Sequence, residues 1–222
     1  PVQGKIAWEV PLSGRANGGT MTTAGNLVFQ ARASGEFVAY NATSGKTLWS
    51  YDLGQGTAAP PVTYSVKGRQ YISLLVGWGG GNAGLGGENE RQLGWSYGVH
   101  PRRLVTFSLE GQTELPPSPP PTVVEPVSMP EFGVDEALAA QGASEFGRCV
   151  VCHGPGAISA GMAPDLRASE VTGSSEAFEA VVREGGLMKN GMPRFAHLTD
   201  TQLLALRHFI RQQAEAAGDT QP

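Results

Sequence analysis

Two hydrophobic rhythms divide this chain. Up to about residue 115, apolar and aromatic residues fall in short runs: Leu27-Val28-Phe29, Phe37-Val38-Ala39-Tyr40, Thr47-Leu48-Trp49 and the stretch 70–76. Gly, Asn, Ser or Pro bounds each run, as in strands joined by tight turns, and Ser34-Gly35 and Ser44-Gly45 read as hairpin turns. Beyond residue 130 the rhythm is helical. Residues 135–148 read as one helix, and 174–184 as a second that starts at Ser174 and stops at Gly185-Gly186. Residues 199–217 form the third. Thr199-Asp200-Thr201-Gln202 has the capping-box form, and Leu203, Leu206, Phe209 and Ile210 then recur at helical spacing until Gly218.

Between the two rhythms lie Pro116, Pro117, Pro119, Pro120, Pro121, Pro126 and Pro130. Each ring fixes φ and removes a backbone donor, so 116–130 reads as an extended, semi-rigid linker rather than helix or central strand. This gives three parts: a β region 1–115, the linker 116–130 and a helical domain 131–222.

Charge sharpens the division. Residues 1–115 carry nine Lys/Arg against seven Asp/Glu, whereas 116–222 carry seven against thirteen. No basic stripe of a nucleic-acid binder is present, and the acidic half favours docking to a partner with a positive patch. The apolar runs fall far short of the roughly 20 residues needed to span a bilayer. No basic segment followed by an apolar one opens the sequence, so no secretory signal is read there.

The chain has only two cysteines, in Cys149-Val150-Val151-Cys152-His153. Cys-x-x-Cys-His places two thiols one helical turn apart, so both can add to vinyl groups of one porphyrin, with the adjacent His beneath the iron. A thioredoxin-like redox pair would need a βαβ context, and a structural zinc site would need further cysteines; neither is present. The motif therefore predicts covalent haem c on Cys149 and Cys152, with His153 as an iron ligand.

Three methionines follow as candidate sixth ligands. Met162 comes too soon after His153 to reach the opposite face, whereas Met188 and Met192 lie between the second and third helices. Gly191-Met192-Pro193-Arg194-Phe195 resembles the distal loop of class I cytochromes c, which favours Met192 and leaves Met188 packing or partly exposed. His197 and His208 are alternatives in principle, His208 reading as a solvated or partly buried position on its helix. Ala163-Pro164-Asp165-Leu166 resembles the segment whose Pro carbonyl orients the proximal His in that family, so Pro164 O is expected to accept from His153. His/Met ligation shielded from water favours a fairly high potential.

The β region contains a repeat. Gly4-Lys5-Ile6-Ala7-Trp8 and Gly45-Lys46-Thr47-Leu48-Trp49 share the form Gly-Lys-x-x-Trp, 41 residues apart, within the range of one four-stranded propeller blade. The longer second copy, from Ala39-Tyr40-Asn41 to Trp49, resembles the tryptophan-docking motif of pyrroloquinoline quinone (PQQ) dehydrogenases, with Asn41 in place of the usual Asp. In that family each such Trp packs between blades, so Trp8 and Trp49 are expected to be structural. The first copy begins in mid-motif, which predicts that the chain is the carboxyl-terminal piece of a longer protein.

Taken together, blade motif, Pro-rich spacer and cytochrome resemble the end of a quinohaemoprotein alcohol dehydrogenase. The segments 17–29 and 69–80 are similar to that family as well, with Asn17, Gly18 and Gly19 shaping a turn. The resemblance implies an all-β part (the last blades of an eight-bladed PQQ propeller) followed by an all-α cytochrome c domain. It further implies a periplasmic parent enzyme that oxidises a small alcohol at PQQ beside Ca²⁺ and passes electrons singly to the haem. Gly77, Trp78 and Gly79 correspond to a turn reaching the quinone. The catalytic Asp, the vicinal disulfide and most PQQ and Ca²⁺ contacts match nothing here, so the chain by itself is expected to be inactive. Its partners would be the upstream blades and a soluble or membrane electron acceptor. The competing reading is a stand-alone cytochrome carrier with a β docking module and no quinone chemistry.

Overall fold

The structure, a computed structural model, describes residues 4–15, 17–77, 86–95, 97–98, 102–120, 124–159 and 161–218. The chain forms two compact units, residues 1–122 with 160–162 and residues 123–159 with 163–222, so the main division falls inside the Pro-rich segment.

In the first unit, β1 (Thr20–Thr23), β2 (Leu27–Ala31), β3 (Glu36–Asn41) and β4 (Thr47–Asp52) make an antiparallel sheet in sequence order. β5 (Val62–Val66), β6 (Arg69–Val76) and β7 (Arg103–Phe107) make a second sheet, and a short helix α1 (Glu88–Gln92) lies between β6 and β7. The hairpin turns fall where Gly permits positive φ, at Gly35 (+100°) and Gly45 (+71°). β1, β5 and β7 have no counterpart among the runs read from sequence. They are short, and β5 is exposed along its whole length, so no buried apolar face marks it.

β3 is buried on both faces because its side chains alternate between two cores. Phe37 and Ala39 face a cluster with Phe29, Leu53, Leu74 and Val105. Val38 and Tyr40 face another with Val28, against which Trp8 packs. The two motif tryptophans explain how the repeats join. Trp8 donates its ring N–H to Ala42 O at 2.9 Å and covers Gly45, where a Cβ would lie 2.6 Å from the indole. Trp49 meets Phe37 of its own sheet edge-on at 5.8 Å and Phe107 of the second sheet at 5.7 Å. It borders a cleft of about 740 Å³ lined also by Tyr51 and Leu115. Val62, Tyr64, Val66 and Leu104 remain exposed, since a single blade does not bury its own faces. Asn17 shapes a turn: its Oδ1 accepts from Ala33 N at 2.9 Å.

The second unit holds α2 (Glu136–Glu145), α3 (Val150–His153), α4 (Ser175–Val182) and α5 (Asp200–Gly218), with 3₁₀ turns at Phe146–Arg148, Pro155–Ala157, Leu166–Ala168, Glu170–Gly173 and Met188–Asn190. The helix expected over 135–148 thus tightens to a 3₁₀ turn after Glu145. Asp135 caps α2 by accepting from Ala137 N and Leu138 N, and Ser174 caps α4 through Ala177 N. The capping box of α5 is formed: Thr199 N donates to Gln202 Oε1 at 3.0 Å, and Gln202 N to Thr199 Oγ1 at 3.3 Å. α2 crosses α5 at Gly142, where a Cβ would stand 2.0 Å from Ala205 O. Only a residue without a side chain allows that approach. The core joins Phe146, Phe178, Val182, Leu203, Leu206 and Ile210.

The ends of the Pro-rich segment are each pinned within a unit. Pro117 O accepts from Arg103 Nη2 at 3.1 Å in the first, and Val127 N donates to Arg167 O at 3.0 Å in the second. Among the described residues, no helix is long and apolar enough to cross a membrane.

Candidate functional site

Residues 149–154 wind into a single turn in which His153 N donates to Cys149 O at 2.9 Å and Gly154 N to Val150 O at 2.8 Å. Gly154 (φ 77°, ψ 160°) ends the turn. Cys149 and Cys152 are therefore neighbours along one helical face, and both are free thiols, half-buried. Burial pushes the Cys149 thiol up to about 11, with Arg148 opposing, so it is protonated at neutral pH. Cys149 and Val150 rest on the helical core beside Phe146.

His153 is buried, and its Nδ1 lies 2.8 Å from Pro164 O. A carbonyl can only accept, so Nδ1 carries the hydrogen and Nε2 keeps its lone pair. Burial holds the ring below the usual histidine range, against the opposing pull of the Pro164 carbonyl and of Asp165. The neutral ring with Nε2 free is the form that ligates a metal. The contact expected from sequence is present.

What holds Pro164 in place was not read from sequence. Asp165 follows it, almost wholly buried, and takes a bidentate ion pair from Arg167: Nε to Oδ1 at 2.9 Å and Nη2 to Oδ2 at 2.8 Å. The same carboxylate accepts from Ser159 N and Arg167 N, both at 3.1 Å. The hydroxyl of Ser159 donates to Ala163 O. The loop between α3 and the Leu166–Ala168 turn is thus tied across its base. Its only sequence signal was a capping Asp two residues before an Arg.

Met192 is half-buried and packs on the same core as Cys149. Its loop is shaped by Gly191 at φ +92° and by Met192 N donating to Leu187 O at 3.3 Å. Phe195 packs against the same core, with Phe195 N bonded to Val182 O at 2.9 Å. Met188 is 58% exposed and Met162 43% exposed, so neither joins this core. His197 is exposed, and its Nε2 lies 3.0 Å from Arg148 Nη1. His208 departs from the expectation of a solvated or partly buried position. It is buried, its Nδ1 accepts from Asp135 N at 3.0 Å, and Phe132 stacks edge-on at 4.9 Å. The cause is the segment before α2, which folds back over this face of α5.

Among the described residues no three His, Cys, Asp or Glu side chains gather as a metal cluster, so the two thiols lack the partners of a zinc site. Two adjacent reduced thiols, a buried His with an oriented ring and a half-buried Met over one apolar core fit a haem c. In the first unit, Gly77 ends β6 at φ +134°, with its N–H on Gly56 O at 3.2 Å. Trp78 and Gly79, expected with it near the quinone, lie outside the described residues.

This geometry defines a protein of blade sheets joined to a c-type cytochrome domain. Residues 1–72 match the glucose/ethanol/alcohol dehydrogenase beta-propeller (PQQ) family, and residues 137–210 match cytochrome c oxidase, cbb3-type, subunit III. The chain is 43% identical over 88% of its length to quinohemoprotein alcohol dehydrogenase ADH IIB of Pseudomonas putida. It is 41% identical over 96% to the dehydrogenase subunit of alcohol dehydrogenase (quinone) from Gluconobacter oxydans. Among solved structures, quinohemoprotein alcohol dehydrogenase ADHIIG of Pseudomonas putida HK5 superposes with a TM-score of 0.78 at 36% identity over 99% of this chain. The Comamonas testosteroni enzyme superposes with a TM-score of 0.74 at 33% identity over 97%. Over nearly all of its length the chain is similar to quinohaemoprotein alcohol dehydrogenases, and it carries part of a PQQ propeller and a cytochrome c domain. It spans 28% of the length of the first two relatives and 31% of the first structure.

Proposed function

We propose that this chain is the electron-relay end of a periplasmic PQQ- and haem c-dependent alcohol dehydrogenase. In that role it takes up electrons released by alcohol oxidation at PQQ and passes them singly to an external acceptor. The observation that carries the reading is the hydrogen bond from His153 Nδ1 to Pro164 O, at the turn that also presents both thiols. Cys149 and Cys152 would hold the haem through thioethers, and His153 Nε2 and Met192 Sδ would hold its iron. The bound haem supplies a one-electron couple, its potential raised by the Met ligand and by exclusion of water. Pro164 orients the His153 ring and increases its basicity. The apolar core under Cys149 and Met192 keeps water from that side. Gly77, Trp78 and Gly79 would contribute to the PQQ site, and the parent enzyme would supply the remaining PQQ and Ca²⁺ contacts. The acidic half, with thirteen Asp/Glu against seven Lys/Arg, suits an acceptor with a positive face.

Two experiments test this. In the haem-loaded chain, Met192→Ala abolishes the low-spin His/Met spectrum and Met188→Ala leaves it intact; the opposite pattern moves the ligand to Met188. In the full-length protein supplied with PQQ and Ca²⁺, a small alcohol reduces the haem. A haem that titrates reversibly but is never reduced by alcohol would instead indicate a stand-alone carrier.

A further inference from the structure

Arg148, the residue before Cys149, makes a connection that neither haem attachment nor ligation requires. Its Nη2 donates to Glu145 Oε2 at 2.7 Å and its Nη1 lies 3.0 Å from His197 Nε2. A guanidinium has no lone pair, so in this contact His197 accepts through Nε2. Glu145 Oε1 in turn accepts from Gln202 Nε2 at 2.9 Å, and Gln202 completes the capping box of α5 with Thr199. One line of polar side chains thus joins the end of α2, the start of α5 and the loop that carries Met192.

The other side of that loop has its own anchor. Arg183 of the α4 terminus donates to Leu198 O at 3.3 Å and to Asp200 Oδ1 at 2.5 Å, and its carbonyl accepts from Arg194 Nε at 3.0 Å. These contacts shape residues 194–200 locally. They do not tie the loop to the Cys149–His153 turn. The Arg148–His197 contact does, 49 residues apart in sequence. It is the described side-chain hydrogen bond that links the residue beside the first haem cysteine to the loop of the second axial ligand.

We propose that Arg148 and His197 form a clamp that holds the Met192 loop at a set distance from the His153 turn. Both are positioning residues. The inference rests on the reading of His153 and Met192 as axial ligands, and it assigns His197 a role other than ligation. Without the clamp the loop remains folded through Arg183, but Met192 swings away from the iron position more often. An added ligand then competes with it more successfully.

The test is imidazole binding to the ferric haem-loaded chain, followed by the loss of the red absorption band of Met-ligated ferric haem. His197→Ala and Arg148→Leu should each tighten apparent imidazole affinity about three- to tenfold, the range expected for losing one charge-assisted, partly exposed hydrogen bond. The double variant should match either single variant, because the two side chains act as one contact. His197→Gln, whose amide oxygen can still accept from Arg148, should restore wild-type affinity. Because Arg148 adjoins Cys149, its variant is read only with full haem attachment; the His197 pair decides the matter otherwise. Wild-type affinity in His197→Ala, or failure of Gln to rescue, overturns the clamp. If Met192→Ala leaves the red band unchanged, the ligand assignment itself fails, a result distinct from failure of the clamp.

Discussion

Replacing Asp165 by Ala removes one half of a buried pair on which the proximal loop is built. The Asp165 side chain is 1% exposed and that of Arg167 9%, so neither charge is solvated when the other is lost. Four hydrogen bonds end on this carboxylate: two from the Arg167 guanidinium, one from Arg167 N and one from Ser159 N. The variant would leave a buried guanidinium without its counter-charge and two backbone N–H groups without their acceptor. Breaking a buried pair in this way costs about 3–5 kcal/mol, a large part of the roughly 5–15 kcal/mol that stabilises a whole domain. Denaturant unfolding of the haem-loaded chain, followed by helical circular dichroism, measures the loss. Asp165→Ala with Arg167→Met should be less destabilising than Asp165→Ala alone, because the orphaned charge is gone and the methylene bulk is kept. A single-variant loss below about 1 kcal/mol, or a double variant worse than the single, would refute the argument. The consequence for function is local. Pro164 adjoins Asp165, so a loosened loop should spread the orientations of the His153 ring and broaden its resonances in the paramagnetic spectrum.

Other substitutions test other joints. Gly142→Ala places a methyl 2.0 Å from Ala205 O and 2.8 Å from Phe209 Cβ, forcing α2 and α5 apart. Despite better helix propensity, it should destabilise the helical unit by about 2–3 kcal/mol in the same unfolding assay; a gain in stability would show that the helices can separate freely. Gly45→Ala combines φ +71° with a Cβ 2.6 Å from the Trp8 ring, and should lower the stability of the β unit by about 2 kcal/mol, seen as an earlier near-ultraviolet transition on heating. An unchanged transition would mean that Trp8 is not docked there. His208 is held below the usual histidine range by burial and by Arg207, with Asp135 opposing. The unfolded chain therefore takes up a proton first as pH falls. The stability contributed by neutral His208 is complete above about pH 6.5 and is lost as the pH drops below it towards the folded value. Unfolding midpoints at pH 7.5 and 5 should differ less in His208→Gln than in the parent, and equal differences would remove His208 as the cause.

Much of the candidate haem site was legible because its chemistry is local. Cys149, Cys152 and His153 lie within one turn, so spacing alone brings them together, and the capping box at Thr199 is likewise a four-residue matter. The strands that carried an apolar run were legible for the same reason. β5 and β7 were not. β5 is exposed along its whole length and so carries no buried apolar face, and β7 pairs with β6 from far back in the chain, so its burial leaves no local trace. His208 was misjudged because helical spacing reports which face a residue is on, not that residues 132–135 fold back to cover it.

The sequence by itself determined which side chains are offered to a haem, where the three long helices begin, and that the tryptophans recur at blade spacing. These depend on contacts within a few residues or on a repeat. Only the tertiary structure decided how the site is held. The carboxylate of Asp165 closes on Arg167, Trp8 covers Gly45, and Arg148 reaches His197 across 49 residues. Each is a pairing of polar or bulky groups with no periodic signature. Which groups meet in each case depends on how the chain returns on itself.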